Sequence, residues 1–312
     1  MKVLVTGGAG FIGTNLCEAL VAKGDTVKVI DNLSVSDTNL PDLESMGVEF
    51  VKADIVNYQE IEPHFKGVDV VVHLAAMNRA QRSIENPLEA NKVNIEGTLN
   101  CLEAARKNNV QKFINVSSSS VYANREGDLL KEDASLSPLH PYGVGKLAGE
   151  HYARVYHELY GLKTVSLRFF SVYGPRQLGS IDKAGVVAKF IHNSFYGEPL
   201  EIYGDGKQLR NFSYVGDVVA CVLKAIESDE AIGEVINVAN PKEVDVNYLA
   251  ELVKKVSEKD VEIVHIDPLK GDPVRNPADT SKCKRILGYQ AETDFEEGIS
   301  KTFDWFTKKQ VR

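Results

Sequence analysis

Sulfur and indole are scarce: of 312 residues, four are cysteine, three methionine and one tryptophan. Cys17, Cys101, Cys221 and Cys283 lie far apart, with no C-x-x-C and no paired spacing, which argues against a disulfide framework. Reduced thiols and a cytoplasmic setting are the expectation. The seven histidines form no H-x-x-x-H or H-E-x-x-H, and the nearest two, His151 and His157, fall on different sides of a helix, so no metal site is expected. No apolar stretch approaches the roughly 18–20 residues that a membrane span needs. Residues 1–6 form only a short apolar run that leads into glycines rather than a cleavage site, so they do not read as a signal peptide. Positive charge is in the minority, 36 Lys and Arg against 44 Asp and Glu for a net charge of −8, without a Lys/Arg run. Neither nucleic acid nor a membrane is an expected partner.

What is present is ordinary globular material, 43% hydrophobic and 26% charged, on a chain long enough for one large domain or two intimate ones. Short β-branched runs alternate with helical patterns. Residues 2–6 read as a strand, 11–23 as a helix and 26–31 as a second strand; 48–53, 69–74 and 113–117 continue the series, with a helix at 89–107. Residues 163–169 follow a long helical pattern at 142–160. Continuous runs such as Val70-Val71-Val72 fit strands buried on both faces, and the alternation implies an α/β fold, a doubly wound parallel sheet. Beyond Arg176 the pattern loosens: 202–206 carries hairpin or loop chemistry, 234–238 reads as a strand, and Asp245 is placed to cap a helix at 246–256. With Gly7, Gly10 and Gly13 following the first strand, the expected organisation is a nucleotide-binding Rossmann domain at 1–175, with 210–240 returning to it, and a smaller C-terminal α/β substrate lobe at 176–312.

The first strand runs into Thr6-Gly7-Gly8-Ala9-Gly10-Phe11-Ile12-Gly13, and a helix follows at once. This spacing suits a pyrophosphate. Gly7 permits the tight turn, Gly10 lets backbone approach the phosphates, and Gly13 lets the helix lie close to the strand. The helix start, at Phe11 and Ile12, points free N–H groups at negative charge. Asp31 ends the next strand 18 positions after Gly13, suited to gripping both hydroxyls of an adenosine ribose, with Asn32 beside it. Its carboxylate would repel a 2′-phosphate, so NAD is expected rather than NADP. Asp54 and Ile55 end the third strand where they could hold the adenine, a plain strand-end turn being the alternative.

Pro141 opens a helix carrying Tyr142-x-x-x-Lys146, and residues four apart share a helical face. A free tyrosine, with a pKa near 10, is a poor base at neutral pH. A neighbouring ammonium and an oxidised nicotinamide both favour the phenolate. Taken alone, such a pair is ordinary surface packing. Here it follows the glycine loop and the run Ser117-Ser118-Ser119-Ser120, whose hydroxyls fall at the carboxyl end of a strand, where open α/β sheets bind ligands.

The glycine loop, Asp31, His73-Leu74-Ala75-Ala76, the serine run with Val121-Tyr122, and Tyr142-x-x-x-Lys146 together resemble the extended short-chain dehydrogenase/reductase superfamily. Within it the likeness is to the NAD-dependent epimerase/dehydratase family and its nucleotide-sugar epimerase branch, typified by UDP-glucose 4-epimerase. Further matches at 168–176, 210–215 and 271–279 extend it over essentially the whole chain. The resemblance implies Tyr142 as base, Lys146 as the residue that tunes it and holds the nicotinamide ribose, Ser118 as the catalytic hydroxyl, and Leu74, Ala75 and Ala76 beside the cofactor. Ser119 and Ser120 stand where sugar dehydratases and decarboxylases carry an acid. The resemblance therefore favours 4-epimerisation of UDP-glucose and UDP-galactose through a transient 4-keto intermediate. The alternatives are a UDP-N-acetylhexosamine or UDP-uronate 4-epimerase, and a dTDP- or GDP-sugar dehydratase or 4-keto-reductase. A non-catalytic NAD-binding relative would be expected to lose Tyr142 or Lys146. A homodimer through helices at 91–107 and 142–160 is also implied.

On the substrate side the chain departs from the family. Ser171 stands where an asparagine commonly holds the diphosphate, Asn211 where Asp is usual, and Leu269 where an arginine is expected. Arg210 remains to grip the diphosphate, with Lys270 or Arg275 to supply the missing charge. Arg79 borders the sugar and could pair a carboxylate, a phosphate or solvent. Asn276 falls where the family reads sugar size. Tyr203 is expected to stack on the nucleobase, and Val186 to meet its edge through backbone.

Overall fold

The computed structural model describes residues 1–78, 80–122, 129–177, 184–269, 275 and 277–310. Arg79, Lys270 and Asn276 lie outside the described residues. Seven strands form the central sheet: β1 (Lys2–Thr6), β2 (Thr26–Asp31), β3 (Glu49–Lys52), β4 (Val70–His73), β5 (Lys112–Ser118), β6 (Lys163–Phe169) and β7 (Val235–Val238). Their order is β7-β6-β5-β4-β1-β2-β3, every pairing is parallel, and the direction of winding reverses between β1 and β4. That reversal opens a crevice at the carboxyl ends of the strands.

Side chains alternate across each strand, so one sheet feeds two cores. Val3 and Val5 of β1 join Leu16 and Leu20 of α1 (Phe11–Ala22) and Val218 and Val222 of the helix Val215–Glu227. Leu4 faces the other way, onto Leu102 of α2 (Thr98–Lys107) and Tyr156 of α3 (Pro141–Tyr160). Strands β4 and β5 are buried along their whole length, which accounts for the unbroken apolar run Val70-Val71-Val72 in β4. Helix α3 has strong boundaries: His140 Nδ1 accepts from the Gly143 N–H, Pro141 fills the first turn, and left-handed Gly161 closes the helix. Ahead of α2, the helical segment Pro87–Asn91 passes through a wide π-type stretch, Lys92–Gly97, where the sequence suggested one uninterrupted helix.

The remainder of the chain builds a second core from the helices Val186–Tyr196, Val246–Ser257 and Phe295–Gln310. Asp245 caps the middle one by accepting from the Tyr248 N–H. Of the hairpin or loop expected around 202–206, residues 204–206 do form a turn with left-handed Gly204 and Gly206, but the preceding strand Leu200–Tyr203 pairs in parallel with Ile263–Ile266 rather than in a hairpin. Its partner is some sixty residues away, so local turn chemistry could not reveal it. The strand β7, late in the sequence, completes the edge of the main sheet.

Candidate active site

A cleft of about 740 Å³ runs across the crevice at the ends of β1, β4 and β5. At one end sits the glycine loop. Gly7 has a left-handed backbone (φ 71°), and a Cβ there would lie 2.6 Å from the Ala75 nitrogen; a Cβ at Gly13 would lie 2.5 Å from the Gly7 carbonyl oxygen. Backbone cannot yield to either. The loop is thereby pressed between β4 and α1, and α1 begins at Gly10 with no side-chain cap and no acidic residue in its first turn. Its leading N–H groups are left for an anion.

Asp31, at the end of β2, is held by the N–H groups of Ala9 (3.1 Å) and Leu33 (2.8 Å). Burial raises its pKa, and those two bonds pull it back toward the anion. Asn32 donates to Asp54 Oδ2 at 2.9 Å, and Asp54 Oδ1 accepts from the Val56 N–H. Asn39 is buried against this end, donating to the carbonyls of Ala9 and Arg176, while its Oδ1 has no partner among the described residues. A cradle that any Cβ would fill, a helix start without an acid, a carboxylate at a strand end and an orphaned acceptor together fit an adenine dinucleotide.

Beneath the cleft, fully buried His73 ends β4. Thr98 Oγ1 gives its proton to the Asn94 carbonyl, so His73 Nε2 donates to Thr98 (3.0 Å) and Nδ1 accepts from Thr6 Oγ1 (2.8 Å). Burial first, and the Lys146 charge second, push this imidazole down to about 3. It is a neutral strut. Asn94, in the π-type stretch, binds both the N–H and the carbonyl of Met77 and so fixes the loop after Ala76.

Ser118 ends β5, and its Oγ accepts from the Ser120 N–H at 3.1 Å. The first turn of α3 packs on this turn with Gly143 against the Ser120 carbonyl, leaving no room for a side chain. Tyr142 donates its N–H to Ser83 Oγ at 3.0 Å. One turn on, Lys146 is buried and donates to the Val116 carbonyl at 2.7 Å, with its Nζ 6.0 Å from the Tyr142 ring centre. Burial lowers its pKa to about 8, against the opposing pull of Glu150. An ammonium near neutrality beside a phenol at a strand's carboxyl end is equipped to move a proton.

All the residues expected to hold the cofactor line the cleft: Gly7, Gly10, Phe11, Ile12, Gly13, Asp31, Asn32, Asp54, Ile55, Leu74, Ala75, Ala76, Tyr142 and Lys146. Ser118, Ser171, Val186 and Arg210 line it too. Ser119, Tyr203 and Arg275 are not among its lining residues. Ser119 opens the short turn capped by Ser118, and Ser120 takes the place in the wall. Lys189 Nζ lies 5.5 Å from the centre of the Tyr203 ring, and Arg275 makes a bidentate pair with Glu243. Sequence reasoning missed Asn39, Arg82, Ser120 and Gln177, all in the lining. Only Ser120 had a signal, its place in the serine run. Among the described residues no cluster of metal ligands occurs and no helix is long and apolar enough to cross a membrane.

The sequence pattern of the NAD dependent epimerase/dehydratase family matches residues 3–239. Among solved structures, UDP-glucose 4-epimerase from Thermotoga maritima with UDP-glucose is 36% identical, covers 99% of this chain and 100% of its own, and superposes with a TM-score of 0.93. UDP-glucuronic acid 4-epimerase from Bacillus cereus, in complex with UDP-glucuronic acid and NAD, is 34% identical over 100% of both chains, with a TM-score of 0.92. UDP-N-acetylglucosamine 4-epimerase from Methanobrevibacter ruminantium, in complex with UDP-N-acetylmuramic acid, is 37% identical over 99% of this chain and 98% of its own, with a TM-score of 0.93.

Proposed function

The chain belongs to the NAD-dependent epimerase/dehydratase family, and from that premise we propose that it is an isomerase that inverts C4 of a UDP-sugar, UDP-glucose and UDP-galactose first among them. The observation that carries the reading is the meeting, in one cleft, of Tyr142, buried Lys146 and Ser118 at the end of β5 with the glycine cradle and Asp31. NAD, when bound, supplies a reversible hydride acceptor for the sugar C4, which passes through a 4-keto form. The protein supplies the rest. The glycine loop and the start of α1 hold the pyrophosphate, and Asp31 the adenosine ribose. Tyr142, as phenolate, takes the proton of the sugar 4-hydroxyl and later returns it, Lys146 stabilises that phenolate and holds the nicotinamide ribose, and Ser118 orients the hydroxyl. Arg210 grips the diphosphate, so the nucleotide stays anchored while the sugar turns.

UDP-glucuronate is the second reading. Ser118, Ser120 and Ser171 line the cleft together with Arg82, which pairs with Glu89 of the same lining at 3.3 Å, and these serine hydroxyls are the donors that support a sugar carboxylate there. Offering UDP-glucose, UDP-N-acetylglucosamine and UDP-glucuronate separately, and resolving the products by NMR, tests both readings. Conversion of none into its C4 epimer would refute the assignment.

The functional unit is proposed to be a cytoplasmic homodimer. Exposed Leu139 and Val144 line a shallow apolar groove together with Pro87, Ile95 and Pro141, and Leu88, next to Pro87 in the chain, is 86% exposed, on the helical face that the family resemblance implicates. Light scattering at micromolar concentration should return twice the 34.4 kDa chain mass; the monomer mass would refute it.

A further inference from the structure

Behind the reacting groups lies an ion pair that this chemistry leaves unused. The side chains of Arg168 on β6 and Glu150 on α3 are only 2% and 4% exposed. The guanidinium meets the carboxylate twice, Nε to Oε1 and Nη2 to Oε2, each at 2.8 Å. Burying such a pair carries a desolvation penalty, and apolar residues of equal volume commonly stabilise a core as well or better. What sets this pair apart is what it holds.

Ser117 Oγ donates to Glu150 Oε1 at 2.5 Å, tying down the residue next to Ser118. Glu150 stands one helical turn beyond Lys146, which itself binds the Val116 carbonyl of the same strand. On its far side, Arg168 Nη1 donates to Tyr122 Oη (2.6 Å) and the Glu132 carbonyl (3.0 Å). Tyr122 donates to Asn237 Oδ1, and the Asn237 amide reaches the carbonyls of Leu130 and Asp279. One buried pair thus joins the end of the serine strand, the reactive helix and two loops.

We infer that Glu150, locked by Arg168, is a positioning residue for the epimerisation proposed above: it fixes the Ser118 end of β5 against the turn of α3 that bears Tyr142 and Lys146. The inference rests on that functional reading. The carboxylate acts through charge as well as shape. Lys146 faces neutral His73 on β4, the Val116 carbonyl on β5, and Tyr142 and Glu150 on its own helix, while Arg168 on β6 stands beyond the carboxylate. Glu150 is the anion that opposes the effect of burial on Lys146.

In Glu150→Gln, kcat for UDP-sugar interconversion should fall about 10- to 100-fold with KM changed less than about threefold, and the alkaline limb of kcat should move down by about one pH unit. That variant strands a buried guanidinium and endangers folding, so the pair Glu150→Leu with Arg168→Met is made beside it to restore an apolar core. A melting temperature near wild type with kcat still depressed and the alkaline limb still displaced supports positioning. Recovery of both kcat and the pH profile in the apolar pair, or an unchanged profile in folded Glu150→Gln, overturns it. Should neither fold, Ser117→Ala severs the serine link alone; a fall in kcat of about threefold or more supports the inference, and wild-type kcat overturns it. A wild-type protein without epimerase activity refutes the functional reading instead. The Lys146 titration, followed by ¹³Cε NMR, then decides: a downward shift in Glu150→Gln supports the role of the carboxylate, and none overturns it.

Discussion

Lowering the pH should weaken this fold through one internal histidine. Burial holds His73 neutral down to about 3 in the folded chain, against an ordinary imidazole value of 6.5. Between those values the unfolded chain carries a proton that the folded chain refuses, so stability rises with pH and is lost as pH falls from about 6.5 toward 3. From pH 7 to pH 4 the loss through this residue alone is about 3 kcal/mol, a large share of an ordinary domain's stability. The structure names the cause: a fully buried ring held between Thr6 and Thr98, with the Lys146 charge acting in the same direction as burial. Urea unfolding of cofactor-stripped protein across pH 4–7 measures it, with His73→Gln and His73→Asn as controls for the carboxylates that titrate in the same range. Each control should lose roughly 1–3 kcal/mol at pH 7, from the threonine hydroxyl left unpaired. Their stability should then fall less than that of wild type on acidification, by about 3 kcal/mol at pH 4. Parallel pH curves for wild type and both variants would exclude His73 as the source of the acid sensitivity.

Gly13→Ala sets a methyl group against the Gly7 carbonyl and Gly8, so it should lower stability by about 1–3 kcal/mol and abolish retention of NAD through purification, read by melting temperature and by extraction of bound nucleotide. Asp31→Ala should weaken NAD about 10- to 100-fold by calorimetry and narrow the preference over NADP, because a charged acceptor for the ribose is lost. Tyr142→Phe and Ser118→Ala should each lower kcat by about 10²–10⁴ with substrate KM little changed in steady-state assays. In wild type the Lys146 ammonium is charged below its pKa and neutral above it, so kcat should decline as pH rises past about 8.

The nucleotide half was readable because each feature is local. A glycine loop, a strand end and an acid at fixed spacing name their own geometry, and every cofactor residue expected from them lines the cleft. The strand Leu200–Tyr203 was not readable, since its partner arrives from Ile263–Ile266 and nothing nearby signals a parallel pairing. Arg275 looked like a spare cation for a diphosphate; Glu243, more than thirty residues upstream, pairs with it instead. The pairing of Glu150 with Arg168 passed unnoticed for the opposite reason, although Arg168 opens a run that matches the family. Charged residues in a helix and a strand read as surface, and only folding shows them enclosed and bonded to each other.

Purified protein given UDP-glucose, with no cofactor added, is the decisive assay for C4 epimerisation. NMR should show UDP-galactose accumulating to an equilibrium mixture reached equally from either sugar, with NAD already present in the protein. Absence of any C4 epimer across UDP-glucose, UDP-N-acetylglucosamine and UDP-glucuronate, a stable 4-keto product, or turnover only when NADH is added would contradict it.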